Sequence, residues 1–249
     1  MVIKMDKISK EIMESDQKKT LVLEGHDVQA IMQHVGLDTL MDELIQRLNL
    51  TVKEFDPNET IVPVRSGFNY QTPHEGLLEW MPLLQVGNRS IIKIVGYHPR
   101  NPETYALPTI LSTVSAYDTK SGHLEAVIDG VLLTALRTGA ASAVASKYLA
   151  NPDSSTLGII GCGAQAVTQL HALSRIFPIQ KVMIYDISKE AMASFEDRIS
   201  VLELDLTIQP ADPVEVVEAA DILVTATTVE VGGRPLFEIP VTKPHLHIN

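Results

Sequence analysis

Thr156-Leu157-Gly158-Ile159-Ile160-Gly161-Cys162-Gly163-Ala164-Gln165-Ala166 decides the fold of this chain. An apolar run rises into Gly-x-Gly-x-x-Ala and then into a helical pattern. Lys181-Val182-Met183-Ile184-Tyr185-Asp186 follows, a second apolar run ending in an acid. Strand, glycine turn, helix, strand, acid is the layout of a dinucleotide-binding βαβ unit. Gly161 permits the tight turn. Gly163 lets the backbone approach a pyrophosphate, and Ala166 takes the third small position, where helix meets strand. The helix N-terminus then offers free N–H groups to the phosphates. A carboxylate at Asp186 accepts hydrogen bonds from ribose hydroxyls and repels a 2′-phosphate, which favours NAD(H) over NADP(H).

Downstream of this unit the alternation continues, with strands expected near 157–160, 181–185, 222–226 and 245–248 and helices between them. That is a doubly wound parallel sheet. Upstream the pattern changes. Residues 1–20 are polar and expected to be loosely ordered. Leu21-Val22-Leu23 reads as a short strand, and Val28, Ile31, Met32, Val35, Leu40, Leu44 and Leu48 recur at helical spacing. Gly36 and Asp38 are expected to break that stretch into two helices. Across 51–128 short apolar runs alternate with turn residues, which predicts a mainly antiparallel sheet of short strands. A long helix rich in alanine and serine is expected over 130–149, closed by Asn151-Pro152-Asp153. The fold class expected is therefore α/β. A Rossmann-type sheet occupies 151–249, and an α+β substrate-binding and dimerisation domain occupies 1–150.

The bulk numbers exclude several function classes. A formal charge of −11 over 249 residues argues against a nucleic-acid surface. No apolar stretch has the length of a membrane span, and the N-terminus lacks the apolar core of a signal peptide. The single cysteine, Cys162, rules out an intrachain disulfide and fits a reducing cytoplasm. It sits inside the glycine turn and reads as a small packing residue. The histidines show no paired metal-ligand spacing beyond His245 and His247, two apart, for which packing is the plainer reading.

Four charges lie inside apolar segments: Arg65 after Val-Pro-Val, Glu79 in Leu-Leu-Glu-Trp-Met-Pro, Lys93 in Ile-Ile-Lys-Ile-Val, and Arg137 in the small-residue helix. One polar residue in a strand is ordinary where one face is solvated. Several such charges beside a dinucleotide unit point instead to a pocket for a charged small substrate, since a charge kept in apolar surroundings is costly unless paired or liganded.

Lys93-Ile-Val-Gly-Tyr-His-Pro-Arg-Asn101, Leu107-Pro-Thr109, Asp118-Thr-Lys-Ser-Gly122 and Asp129-Gly-Val-Leu-Leu-Thr-Ala-Leu-Arg-Thr138, followed by the glycine turn, resemble the ornithine cyclodeaminase/μ-crystallin family. The resemblance implies that Arg65, Lys93 and Arg137 hold the substrate α-carboxylate and surround its reacting carbon. It implies that Glu79 meets the distal amine of a diamino acid, with Glu79 and Lys93 as catalytic groups. Thr109, Thr138, Gly161, Gly163, Ala164, Gln165 and Asp186 match the family's contacts to NAD. The implied chemistry is oxidation at Cα, attack of the side-chain amine on the resulting iminium, loss of ammonia, and return of the hydride. Ornithine then becomes proline with no net redox change. A homodimer built through the 51–128 region is implied as well. The family's catalytic aspartate stands in an Ile-Asn-Ala-x-Gly-x-Asp motif, and this chain ends at His247-Ile248-Asn249 inside it. These 249 residues are therefore expected to hold NAD weakly and to lack cyclodeaminase activity alone. An NAD(P)H-dependent imino acid reductase or amino acid dehydrogenase, and a non-catalytic dinucleotide-binding protein, stay open beside the cyclodeaminase reading.

Overall fold

A computed structural model describes residues 19–228 and 242–249. Most of the N-terminal stretch expected to be loose lies outside them. In chain order the elements are β1 (Leu21–Leu23), α1 (Gly25–Val35), α2 (Leu37–Lys53), β2 (Thr60–Ile61), β3 (Ser66–Tyr70), β4 (Gly76–Gln85), β5 (Arg89–Tyr97), α3 (Asn101–Tyr105), β6 (Ile110–Asp118), β7 (Leu124–Asp129) and α4 (Val131–Leu149). There follow β8 (Thr156–Ile160), α5 (Ala164–Ser174), β9 (Lys181–Tyr185), α6 (Lys189–Ala193), α7 (Phe195–Ile199), a 3₁₀ turn (Ser200–Leu202), β10 (Thr207–Pro210), α8 (Pro213–Ala219), β11 (Ile222–Thr225) and β12 (His247–Ile248). No described helix is long and apolar enough to cross a membrane.

Two compact units result. One combines the described residues up to Val28 with Asp56–Val131, and the other combines Gln29–Phe55 with Leu132–Asn249. This division differs from the boundary at residue 150 expected from the sequence. By compactness, α2 and nearly all of α4 go with the dinucleotide-type sheet.

The first unit is a seven-stranded sheet in the order β1-β7-β6-β5-β4-β2, with β3 also pairing β4. Its long strands are antiparallel, as the alternation predicts. One detail corrects the expectation of short strands over 51–128, and a second lies outside that range. β4, β5 and β6 run for ten, nine and nine residues, and β1 pairs β7 in parallel. The strands are long because Glu79 and Lys93 do not interrupt them. A polar residue in register on one face leaves the ladder intact.

The second unit carries five parallel strands in the order β10-β9-β8-β11-β12. Counted within the unit this is 3-2-1-4-5, the doubly wound dinucleotide order. Strand alternation splits its core between two faces. Leu157, Ile159, Val182, Ile184, Ile222 and Val224 pack with Leu170 and Leu173 of α5 and Phe195 of α7. Ile160, Met183 and Leu223 pack with Val216, Val217 and Ala220 around α8. The expected strand at 245–248 shortens to His247–Ile248, so the two histidines do not share a strand face. At the N-terminal end of this sheet Asp221 accepts from the N–H groups of Ser155 and Thr156 and pairs with Lys243 at 2.6 Å.

Gly36, at φ 89°, separates α1 from α2 as expected. α2 is tied to α5 by His171 and Arg175, which bond Asp38 and Asp42 at 2.7–2.8 Å. The alanine-rich α4 packs against α5 at Gly139, where an added Cβ would meet the backbone carbonyl of Thr168. Alanine is favoured over glycine in a helix by about 1 kcal/mol. Overpacking costs about 1–3 kcal/mol, and backbone does not swing aside as a side chain does. Gly139→Ala is therefore expected to lower stability despite its helix propensity. A chemical denaturation series checks the sign, and an unchanged or higher midpoint contradicts this packing.

Candidate dinucleotide crevice and charged sheet face

The expected site residues divide between the two units. Gly161, Gly163, Ala164, Gln165 and Asp186 come together in the second unit at the C-terminal ends of β8 and β9. Arg137 and Thr138 lie on α4 of that unit. Arg65, Glu79, Lys93 and Thr109 belong to the first.

At the end of β8 the chain turns through Gly161 at φ 97°. A Cβ there would sit 2.6 Å from the carbonyl oxygen of Ala226, just beyond β11. This is the point where strand order reverses, between the first and fourth strands of the sheet, and the crevice outside it is where ligands bind in such folds. Gly163 caps α5 with ordinary extended backbone, and an added Cβ would meet nothing within 4 Å. No side chain caps α5, and no acid stands in its first turn. The orphan N–H groups and the positive end of the helix dipole thus stay available to an anion. The buried Oε1 of Gln165, second residue of the helix, has no hydrogen-bond partner. An open glycine, an uncapped helix start and an orphaned amide oxygen together fit a dinucleotide.

Asp186 is held rather than free. Its Oδ2 accepts from Cys162 N at 2.6 Å and its Oδ1 accepts from Ser188 N at 2.8 Å. Each oxygen keeps a further lone pair for a ribose hydroxyl. The carboxylate thus braces the glycine turn and presents a fixed acceptor. Cys162 is fully buried. Burial, aided by the Asp186 charge, raises its thiol pKa to about 11, so at neutral pH it is an inert packing group, as the sequence reading has it.

On α4, the Thr138 hydroxyl donates to Thr134 O at 2.7 Å, which leaves its oxygen as an acceptor. Arg137 is exposed on the same helix.

The first unit gathers three of the four charges singled out in the sequence. The register sets Glu79 opposite Val95 and Lys93 opposite Met81. Glu79 and Lys93 therefore share one face of the sheet as diagonal neighbours, about 7–8 Å apart at this type of position. Arg65 reaches Glu79 at 3.3 Å, its own side chain 66% exposed and that of Glu79 18%. Val95 and Ser112 on the same face are buried. Glu79 and Lys93 are thus half-buried charges beside Val95 and Ser112. Thr109 lies at the entry to β6, its carbonyl accepting from His98 N. Sequence reasoning missed one participant in the crevice. Arg198, from α7, donates to the carbonyls of Cys162 and Gly163. No local pattern announces it.

The family model described as the ornithine cyclodeaminase/mu-crystallin family matches residues 26–249. L-lysine cyclodeaminase of Streptomyces rapamycinicus is 41% identical over 232 residues, 93% of this chain and 67% of the relative. Among solved structures, a lysine cyclodeaminase studied for recognition of L-lysine, L-ornithine and L-2,4-diaminobutyric acid superimposes with a TM-score of 0.88 at 45% identity, covering 92% of this chain and 67% of that one. Delta(1)-pyrroline-2-carboxylate reductase of Thermococcus litoralis, in complex with NADH and L-proline, gives 0.73 at 32% identity, covering 84% and 62%. An archaeal alanine dehydrogenase dimer with bound NAD gives 0.70 at 31%, covering 84% and 60%. The chain spans about two thirds of the length of these relatives.

The two glycines of the turn do different things, and stability separates them. Gly161→Ala forces a left-handed alanine against the Ala226 carbonyl and should cost about 2–4 kcal/mol. Gly163→Ser places a good cap in open space and should leave the melting temperature unchanged or slightly raised. Equal losses in both variants, read by thermal unfolding, would count against this reading of the turn.

Proposed function

The chain belongs to the ornithine cyclodeaminase/mu-crystallin family, and from that premise we propose that it binds NAD at the Gly161–Ala164 turn and acts on a diamino acid. The reaction is cyclisation with loss of ammonia, with L-ornithine going to L-proline as the reference case. The observation that carries this reading is the trio Arg65, Glu79 and Lys93. Glu79 and Lys93 share one sheet face and Arg65 reaches Glu79 from beside it, two cations and one acid, which matches an α-carboxylate together with a second amine.

When bound, NAD supplies an acceptor for the hydride from Cα and a donor to return it. Arg65 and Arg137 are each suited to hold a carboxylate through charge-assisted hydrogen bonds. Lys93, half-buried on the same sheet face as Glu79, takes and returns a proton. Glu79 holds the distal amine and so sets which amino acids enter. Thr109 and Thr138 contact the dinucleotide, and Asp186 receives the adenosine ribose and disfavours NADP(H). The similarity to lysine cyclodeaminase makes L-lysine the companion substrate to test, since Glu79 serves either chain length.

The 32% identity to a pyrroline-2-carboxylate reductase supports a second reading, reduction of a cyclic imine with NADH. Ammonia release from ornithine or lysine with no net change in NADH absorbance supports the cyclodeaminase. A fall in absorbance with a cyclic imine supports the reductase. NAD binding with neither supports a dinucleotide-binding role, or the expectation that turnover needs the aspartate of the Ile-Asn-Ala-x-Gly-x-Asp motif.

Two results are expected. With NAD⁺ present, Arg137→Ala should lose about 2–4 kcal/mol of amino acid binding. Glu79→Gln should weaken ornithine by roughly tenfold while leaving norvaline, which lacks the second amine, nearly unchanged. Calorimetry reads both, and equal effects of Glu79→Gln on the two ligands would remove Glu79 from the distal-amine role.

The other face of the first sheet points to a second copy of this chain. Phe68 pairs with Leu78 and Trp80 with Ile94, all on the face opposite Glu79. Phe68, Leu78 and Ile94 are 63%, 38% and 38% exposed, and the Phe68 and Trp80 rings meet edge to face at 5.2 Å. An apolar patch of this kind on a sheet marks an interface, and the archaeal relative is a dimer. Ile94→Glu is expected to convert a dimer to monomer in sedimentation velocity. A variant that stays dimeric would move the interface elsewhere.

A further inference from the structure

We propose that Arg198 is the positioning residue of the dinucleotide crevice, holding the glycine turn and the segment after β9 in one closed ring of hydrogen bonds. The inference rests on the reading of that crevice as the NAD site. The ring can be followed atom by atom. Cys162 N donates to Asp186 Oδ2 at 2.6 Å, and Ser188 N donates to Asp186 Oδ1 at 2.8 Å. Ala191 N donates to Ser188 Oγ at 3.1 Å, and Arg198 Nη2 donates to Ala191 O at 3.0 Å. The same Nη2 donates to Cys162 O at 2.5 Å and closes the circuit on the residue where it began.

The two faces of the Cys162 main chain are thus gripped by opposite charges, its N–H by a carboxylate and its carbonyl by a guanidinium. Arg198 Nη1 extends toward Gly163 O at 3.5 Å and Nε donates to Ser194 Oγ at 3.3 Å. The guanidinium lies 5.5 Å over the ring of the fully buried Phe195. Among the described residues its hydrogen-bond partners are main-chain carbonyls and a hydroxyl, so its positive charge stands directly behind the turn, across Cys162 from the Asp186 carboxylate. A cation there favours an anion in front of it. The carbonyl bonds fix the plane of the peptides whose N–H groups face the crevice. Because Asp186 and Ser188 belong to the ring, Arg198 also sets where the ribose acceptor stands. Removing it should loosen the phosphate and ribose contacts together.

The test is NADH affinity by calorimetry, at a temperature where circular dichroism shows each variant folded. Wild type must bind NADH; if it does not, the NAD reading fails and Arg198 is not at issue. Arg198→Met should bind NADH at least roughly tenfold more weakly, and its preference for NADH over NADPH should narrow as Asp186 loses its fixed position. Arg198→Lys, which keeps the charge and a donor, should recover part of the loss. Arg175→Met, which breaks the Asp38 and Asp42 ion pairs in the same unit, should lower the melting temperature and leave NADH affinity unchanged. If Arg198→Met does not fold, Arg198→Gln takes its place with the same expectation. Wild-type affinity and an unchanged cofactor ratio in the folded arginine variant overturn the proposal, as does an equal loss of affinity in Arg175→Met.

Discussion

The left-handed backbone of Gly161 is the constraint on which the second unit depends. β8 must end, reverse and begin α5 while the chain leaving β11 passes directly alongside, with the Ala226 carbonyl in the space a side chain would need. Only glycine meets both demands. Once the turn is made, Cys162 N faces β9 and meets Asp186. Gly163 is left open, and α5 starts without a cap. The anion-seeking end of the crevice is therefore a by-product of one tight crossing between two strands. The core on both faces of the sheet holds those strands in register.

The first unit answers a different physical problem, the presence of charge within strands. Period-two alternation lets a strand be apolar on one face and carry Glu79 or Lys93 on the other without breaking its ladder. Glu79 keeps Arg65 beside it, and a half-buried carboxylate with a cation at hand is far less costly than one alone. The same alternation exposes Phe68, Leu78 and Ile94 on the reverse side. One sheet thus carries half-buried charge on one face and exposed apolar side chains on the other. Neither face by itself is an ordinary solvated one.

The dinucleotide unit was legible because each of its signals is local. Gly161, Gly163, Ala166 and Asp186 act within one βαβ stretch, and the apolar runs of β8 and β9 stand on either side. Gly36 was legible for the same reason. Elements held by distant partners were not. β3, with the sequence Ser-Gly-Phe-Asn-Tyr, has no apolar run and exists because β4 pairs with it. β10 carries Pro210 and is an edge strand set by β9. The parallel pairing of β1 with β7 joins segments about a hundred residues apart, which no window of sequence reveals. Arg198 belongs to this second kind. Its partners lie 35 and 36 residues upstream, and its helix reads as an ordinary amphipathic turn. The compact division of the chain was hidden likewise, since the allegiance of α2 and α4 depends on His171, Arg175 and the contact at Gly139 rather than on composition.

The backbone contact at Gly139 has a mechanical meaning. Arg137 and Thr138 directly precede that glycine on α4, and Thr168 lies one turn into the helix whose first residues face the crevice. Where helices touch main chain to main chain there is no rotamer to absorb a small displacement, so movement of one is handed to the other. A displacement at the start of α5 is therefore passed to the stretch of α4 that carries Arg137 and Thr138, as through a rigid link.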